Sequence, residues 1–168
     1  MSRRLILTRH AKSAWDHPDL DDHDRPLTRR GERSATAIGR WLSENDHRPE
    51  VALLSTARRV VETWAGIGPR LCAAPNAVRD RALYHSSPET MLAALVGRPE
   101  ACVILIAHNP GMATLAQRLV RTTPDRGEFA YFPTCATLIL DFEVASWGDV
   151  APREGHVVDF VVPRDLTD

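Results

Sequence analysis

Three short segments carry histidine or arginine just beyond an apolar run. Thr8-Arg9-His10-Ala11-Lys12-Ser13 follows Leu5-Ile6-Leu7, and Ser55-Thr56-Ala57-Arg58-Arg59 follows Val51-Ala52-Leu53-Leu54. His108-Asn109-Pro110-Gly111 closes the run that begins at Cys102. Taken singly, the first reads more readily as a solvated loop and the second as a surface charge, and His108 also reads as a hydrogen-bonded strand-end histidine. Taken together, they offer Arg9, His10, Arg58 and His108 to one edge of a sheet, provided the apolar runs are its strands. The chemistry that uses such a set is phosphoryl transfer. A phosphoryl group carries nearly two negative charges at neutral pH, and the planar fork of arginine matches its oxygens. Helix starts after Arg58 and Asn109 would add backbone donors that favour anions. A neutral imidazole can attack phosphorus and become a phosphohistidine, while surrounding cations stabilise the equatorial oxygens of the transition state. The protein would supply the positive charge itself, so no metal or other cofactor is called for.

The elements that must position these residues are readable from periodicity. Residues 3–8, 51–54 and 102–107 read as buried strands, and residues 76–84, 137–144 and 157–162 as further strands. Thr28 caps a predicted helix running to about Asn45 with Ala35, Ile38, Trp41 and Leu42 on one face. Ser55 and Thr56 cap another, running to about Gly66 with Val60, Val61 and Trp64 as its apolar set. Ser87-Pro88 starts a helix that Gly97 would stop after Val96, and Asn109-Pro110 starts one reaching Leu119-Val120. Alternation of strand and helix predicts an α/β domain with a mostly parallel sheet, in which ligands collect at the carboxyl ends of strands. That rule points to residues 8–13, 55–58, 83–85 and 107–109.

The Arg9-His10 start, the Arg-Pro-Leu-Thr-x-x-Gly run from Arg25 to Gly31, the Ser55-to-Arg58 segment and His108-Asn109-Pro110-Gly111 together resemble the histidine phosphatase superfamily. Within it, the chain is most similar to small SixA-type phosphohistidine phosphatases. Pro133-Thr134, Trp147 and the closing Pro163-Arg164-Asp165-Leu166 fit the same resemblance, which spans essentially the whole chain. It implies a three-layer α/β/α sandwich, phosphoglycerate mutase-like, with His10 as the nucleophile that is phosphorylated. Arg9 and Arg58 would clamp the phosphoryl oxygens and His108 would donate to them. Lys12, Ser13 and Asn109 are further candidate contacts to substrate. The implied partner is a phosphorylated protein such as a histidine-phosphotransfer domain or carrier.

Departures from the family pattern bear on substrate. Many members have Gly and then an acidic residue after the nucleophile, where this chain has Ala11 and Lys12. Lys12 either adds charge at the mouth or faces solvent. Asp16 lies near a position where mutase-like members use Asn on the phosphate. The carboxylic acid that protonates a leaving oxygen in other branches has no counterpart at Asn109 or at Leu83-Tyr84-His85, and Glu89 suits a helix-end charge better. Without a proton donor, alkoxide departure slows by about two to four orders of magnitude. An imidazole whose other nitrogen holds a proton departs neutral, so a phosphoramidate or activated ester is the expected substrate. A small phosphate ester or nucleotide is the alternative within the family, and a noncatalytic phosphate-binding module the alternative of another class. Attack requires unprotonated His10, so activity is expected to fall in acid as the imidazole gains a proton. The run from Asp16 to Asp24 fits no metal cage and reads as a solvated loop, with a lid or docking edge as its functional reading.

Composition bounds the rest. The 168 residues are 43% hydrophobic and 26% charged, with net charge −1, which suits a single domain over residues 1–168. No global basic field exists to drive nucleic-acid or membrane binding. A cysteine phosphatase needs Cys six positions before Arg, and Cys72, Cys102 and Cys135 meet Val78, His108 and Asp141 at that offset. The three dispersed cysteines and the lack of any long apolar stretch lead to the expectation of a cytoplasmic protein.

Overall fold

A computed structural model describes residues 1–167; Asp168, the last residue of the expected domain, lies outside the described residues. Six strands form one sheet: β1 (Arg3–Arg9), β2 (Val51–Leu54), β3 (Asn76–Arg79), β4 (Cys102–Ala107), β5 (Thr137–Phe142) and β6 (His156–Val161). Their order is β3-β2-β4-β1-β5-β6. Pairings β2–β3, β2–β4 and β1–β4 are parallel, whereas β5 runs antiparallel to both neighbours. Five strands therefore share one direction, and the sheet is mostly parallel, as expected.

Helices cover both faces. Side chains alternate across each strand, so a central strand with two covered faces must be apolar at every position. Leu5, Leu7, Leu53, Val103, Leu105, Leu138 and Leu140 point to one core. Ile6, Ala52, Leu54, Ile104, Ile106 and Ile139 point to the other. The first face packs α3 (Pro88–Ala93), α4 (Gly111–Leu119) and α5 (Glu128–Tyr131) through Met91, Met112, Leu115 and Phe129. The second packs α1 (Arg29–Glu44) and α2 (Arg58–Ile67) through Ala35, Ile38, Leu42, Val60 and Ile67. The result is the three-layer α/β/α sandwich.

Local chemistry explains where the elements depart from periodicity. Thr28 caps α1 as expected, its hydroxyl accepting from Gly31 N at 3.0 Å, worth about 1 kcal/mol. The expected strand over 76–84 stops at Arg79, because the Asp80 carboxylate captures Ala82 N at 2.9 Å and starts a 3-10 turn, Arg81–Leu83. The α3 helix ends at Ala93, and turns carry the chain to Gly97 at φ +84, a conformation only glycine adopts freely. The α2 cap is Ala57 rather than Ser55 or Thr56, since the Ser55 hydroxyl is engaged by His108. Two close backbone approaches pin the site loops. A Cβ on Gly31 would strike the Lys12 carbonyl, and one on Gly111 the Ser86 carbonyl.

Candidate functional site

The carboxyl ends of β1, β2 and β4 bring His10, Ser55 and His108 to one edge. The His10 and His108 rings lie 5.4 Å apart, centroid to centroid, and both are buried. His10 Nδ1 lies 2.7 Å from the Ala11 carbonyl. A carbonyl only accepts, so Nδ1 carries the proton and Nε2 is left with its lone pair. The loop is held from below, where Ala11 N donates to Thr63 Oγ1 on α2 at 2.9 Å. Burial, reinforced by Arg59, Arg9 and Arg25, pushes the His10 imidazole down to about 3. The ring is thus neutral far into acid.

His108 is fixed in the complementary tautomer. Arg59 Nη2 makes a long contact of 3.4 Å to its Nδ1, and a guanidinium only donates. Nε2 therefore carries the proton and donates to Ser55 Oγ at 2.7 Å. Burial first, then His10, Arg59 and His85, push His108 down to about 2.

The two arginines of the cup are Arg9 and Arg59. Arg9 leaves β1, donates from Nη1 to the Phe132 carbonyl at 3.2 Å, and has its pKa lowered by burial and by Arg59. Arg59 has a side chain only 1% exposed, with Nη1 on the Asp22 carbonyl at 2.6 Å and Nη2 on Asp22 Oδ2 at 2.9 Å. Nε of Arg9 and Nε of Arg59 are buried without an acceptor among the described residues.

Arg58, expected from the sequence to clamp phosphate, stands elsewhere. Its side chain is 52% exposed and pairs with Glu62 at 3.0 Å, one helical turn on. The cause is helical geometry. The buried stripe of α2 runs through Arg59, Val60, Thr63 and Ile67, so the position before Arg59 turns to solvent. The same period, counted back from Thr63, was the signal available for Arg59.

The other expected contacts divide. Ser13 is buried, but its hydroxyl accepts from Arg25 Nη1 at 2.9 Å. The Asn109 amide donates to the carbonyls of Tyr131 and Phe132 at 2.9 and 3.0 Å and accepts from Ala113 N at 3.1 Å. Both are occupied in holding the loops. Lys12 is exposed and lines a cavity of about 530 Å³ together with Arg30, Arg33, Tyr131 and Arg164. Glu89 pairs with Arg118 at 2.6 Å, as befits a helix-end charge.

Sequence reasoning pointed to residues 83–85 and to the run from Asp16 to Asp24 but gave Asp22, Tyr84 and His85 no individual role. The acidic run folds a 3-10 turn, Asp22–Asp24, over the cup, with His23 Nε2 2.8 Å from Thr56 Oγ1. Burial works to raise the Asp22 carboxyl, but hydrogen bonds from Tyr84, His85 and Arg59 outweigh it and hold it well below the usual range.

Residues 5–83 match the Histidine phosphatase superfamily (branch 1). An uncharacterized protein of Mycobacterium tuberculosis strain H37Rv is 35% identical over 164 residues, spanning 93% of this chain and 99% of its own. The chain belongs to the histidine phosphatase superfamily, whose fold and members support a phosphatase. Among solved structures it is similar to a candidate phosphohistidine phosphatase SixA from Nakamurella multipartitia. The TM-score there is 0.81 at 29% identity, with 97% of each chain covered. A protein histidine phosphatase SixA complexed with tungstate superposes with TM-score 0.77 at 23% identity, covering 98% of this chain and 99% of that one. No helix among the described residues is long and apolar enough to cross a membrane.

The depressed imidazoles carry a consequence for stability. In the unfolded chain, histidine titrates near its ordinary value of 6.5, while the folded rings hold out to about 3 and about 2. A depressed folded pKa contributes stability above the unfolded value, and that contribution drains away as pH falls from about 6.5 toward the folded values. Melting temperatures between about pH 7 and pH 4 should therefore drop less in His10→Asn and in His108→Asn than in the wild type. Equal acid sensitivity in all three proteins would refute the burial argument. Burial moves the protonation of His10 from the ordinary imidazole range down to about 3.

Proposed function

We propose that the protein hydrolyses a phosphoryl group from phosphohistidine on a protein, through a covalent intermediate on His10. The observation that supports this most strongly is the tautomer of His10. Its bare Nε2 sits beside His108 in a cup that also holds the Arg9 and Arg59 guanidiniums. Oxygens of an incoming phosphoryl group would meet those guanidiniums, including Nε donors that find no acceptor among the described residues. Nε2 of His10 attacks phosphorus as the bond to the substrate nitrogen breaks, and that nitrogen keeps the bonding pair. His108 stays neutral, with Nδ1 facing Arg59, and its Nε2 proton, now given to Ser55 Oγ, is the donor it can offer a phosphoryl oxygen. Water then attacks the phosphohistidine, releasing phosphate and restoring His10.

Two features favour a phosphorylated protein. The carboxyl group nearest the cup, Asp22, is held ionised and has no proton to give a leaving alkoxide, whereas imidazole can leave neutral. The cavity around Lys12, Arg30, Arg33 and Arg164 flanks the segment that Arg9 and Asn109 hold, and gives an acidic protein surface a basic seat beside the cup. A histidine-phosphotransfer domain or carrier has the matching chemistry. Residues 1–168 act in this reading as one domain, and the free Cys72, Cys102 and Cys135 suit a reducing cytoplasm. A substrate panel tests the reading. Phosphohistidine proteins should exceed sugar phosphates and nucleotides in kcat/KM by about 10²-fold or more, the order of a missing proton donor. Preference for an alkyl ester would overturn the substrate assignment, and absence of turnover on every compound would leave a binding module in its place.

A further inference from the structure

The Asp22 carboxylate draws together four side chains: Arg25 from its own loop, Arg59 from α2, and the adjacent Tyr84 and His85. Oδ2 accepts from Arg59 Nη2 at 2.9 Å, from His85 Nε2 at 2.8 Å and from the Tyr84 hydroxyl. Oδ1 accepts from Arg25 Nε at 3.1 Å. An ionised carboxylate only accepts, so His85 Nε2 carries a proton, and in the neutral ring Nδ1 holds the lone pair. The His85 ring lies 4.8 Å from that of His108, on the wall of the cup that Asp22 and Tyr84 build. Its side chain is half exposed and so open to water. The residue sits at φ +49, in the left-handed region. A non-glycine residue held there is strained, and such strain gathers at functional sites.

The steps derived so far leave one proton without an acceptor. Hydrolysis of a phosphohistidine by water releases a proton as the new P–O bond forms. Arg9 and Arg59 have no lone pair to offer, His10 is itself phosphorylated, and His108 Nδ1 faces Arg59. Two further imidazoles stand beside the cup: His23 has Nε2 against Thr56 Oγ1 and Nδ1 against Asp24 Oδ1, whereas His85 is held by the Asp22 carboxylate through Nε2.

We propose that His85, oriented by Asp22, is the general base that activates water in the second half of the reaction. Nδ1 of His85 takes a proton from water as the water oxygen bonds to phosphorus. The bond from phosphorus to His10 Nε2 breaks, its electron pair returns to Nε2, phosphate leaves, and His85 passes the proton to solvent. Asp22 is a positioning residue in this step. The inference rests on His10 being the nucleophile.

An activated aryl ester isolates the step, because p-nitrophenolate departs without a proton donor. With p-nitrophenyl phosphate, His85→Asn should release a rapid burst of nitrophenol approaching one equivalent per chain. A steady phase about 10²-fold slower than wild type should follow, the usual contribution of a general base. Asparagine tolerates the left-handed backbone, which protects the fold. Added imidazole should speed the slow phase of His85→Ala, and Asp22→Asn should keep its burst while the slow phase falls about tenfold. A fall in turnover with no burst, or no fall at all, overturns the assignment of His85 alone. Turnover that survives in His10→Asn overturns the phosphoenzyme reading, and this step with it.

Discussion

Replacing His10 by asparagine is expected to lower turnover by about 10⁴-fold or more, the scale seen when a nucleophile is removed and the binding groups stay. The size follows from what remains. Asparagine can still donate to the Ala11 carbonyl, now met by His10 Nδ1 at 2.7 Å, so the loop keeps its shape. Arg9, Arg59 and His108 keep their places and still bind an anion. What disappears is the lone pair aimed at phosphorus, and direct attack by water lacks a substitute for it. Initial rates on p-nitrophenyl phosphate, together with phosphate affinity, check this. Rates should collapse while phosphate binding changes by less than about tenfold. A variant that keeps a tenth of wild-type turnover would show that the imidazole is a binding group and that the bond to phosphorus forms elsewhere.

The second large effect separates neighbouring arginines. Arg59→Lys should reduce kcat/KM by about 10³-fold, within the range known for a guanidinium that stabilises a phosphoryl transition state. Lysine keeps the charge but lacks the fork that reaches the Asp22 carbonyl, the Asp22 carboxylate and the His108 ring together. Arg58→Ala should change kcat/KM by no more than about threefold, since its exposed pair with Glu62 contributes little. Rates at subsaturating substrate, paired with melting temperatures, distinguish lost catalysis from lost folding. A strong effect at Arg58 with none at Arg59 would mean that α2 is rotated in solution by about one residue relative to the arrangement described.

The contrast between those two residues shows how far the sequence could be read. Strands β1, β2 and β4 were legible because central strands covered on both faces are apolar without interruption, as Leu5-Ile6-Leu7 and Val103-Ile104-Leu105-Ile106 are. Helix α1 was legible through its Thr28 cap. His10 and His108 followed, because a residue just past a parallel strand has little choice of direction. Arg58 was chosen by counting from Ser55, whereas direction on a helix is set by the buried stripe. Thr63 and Ile67 lie on that stripe with Arg59, and Glu62 lies on the solvent side with Arg58.

Asp22 was beyond reach for a different reason. It stands among Asp16, Asp19, Asp21 and Asp24 in a loop without periodicity, and only tertiary hydrogen bonds to Arg59, Tyr84 and His85 single it out. Tyr84 was assigned to the end of a strand and His85 to the position just past it. The Asp80 cap ends that strand early and redirects both side chains toward the cup.

The most direct measurement is to locate the phosphoryl group on the protein. Wild type and His85→Asn would be mixed with p-nitrophenyl phosphate, quenched in alkali to preserve phosphohistidine, digested, and mapped by mass spectrometry. The expected result is an acid-labile phosphoryl group on the peptide containing His10, more abundant in the His85 variant and absent from His10→Asn. A phosphoryl group on Ser13 or His108, or steady turnover with no trapped phosphopeptide in either protein, would contradict the assignment of His10 as the nucleophile.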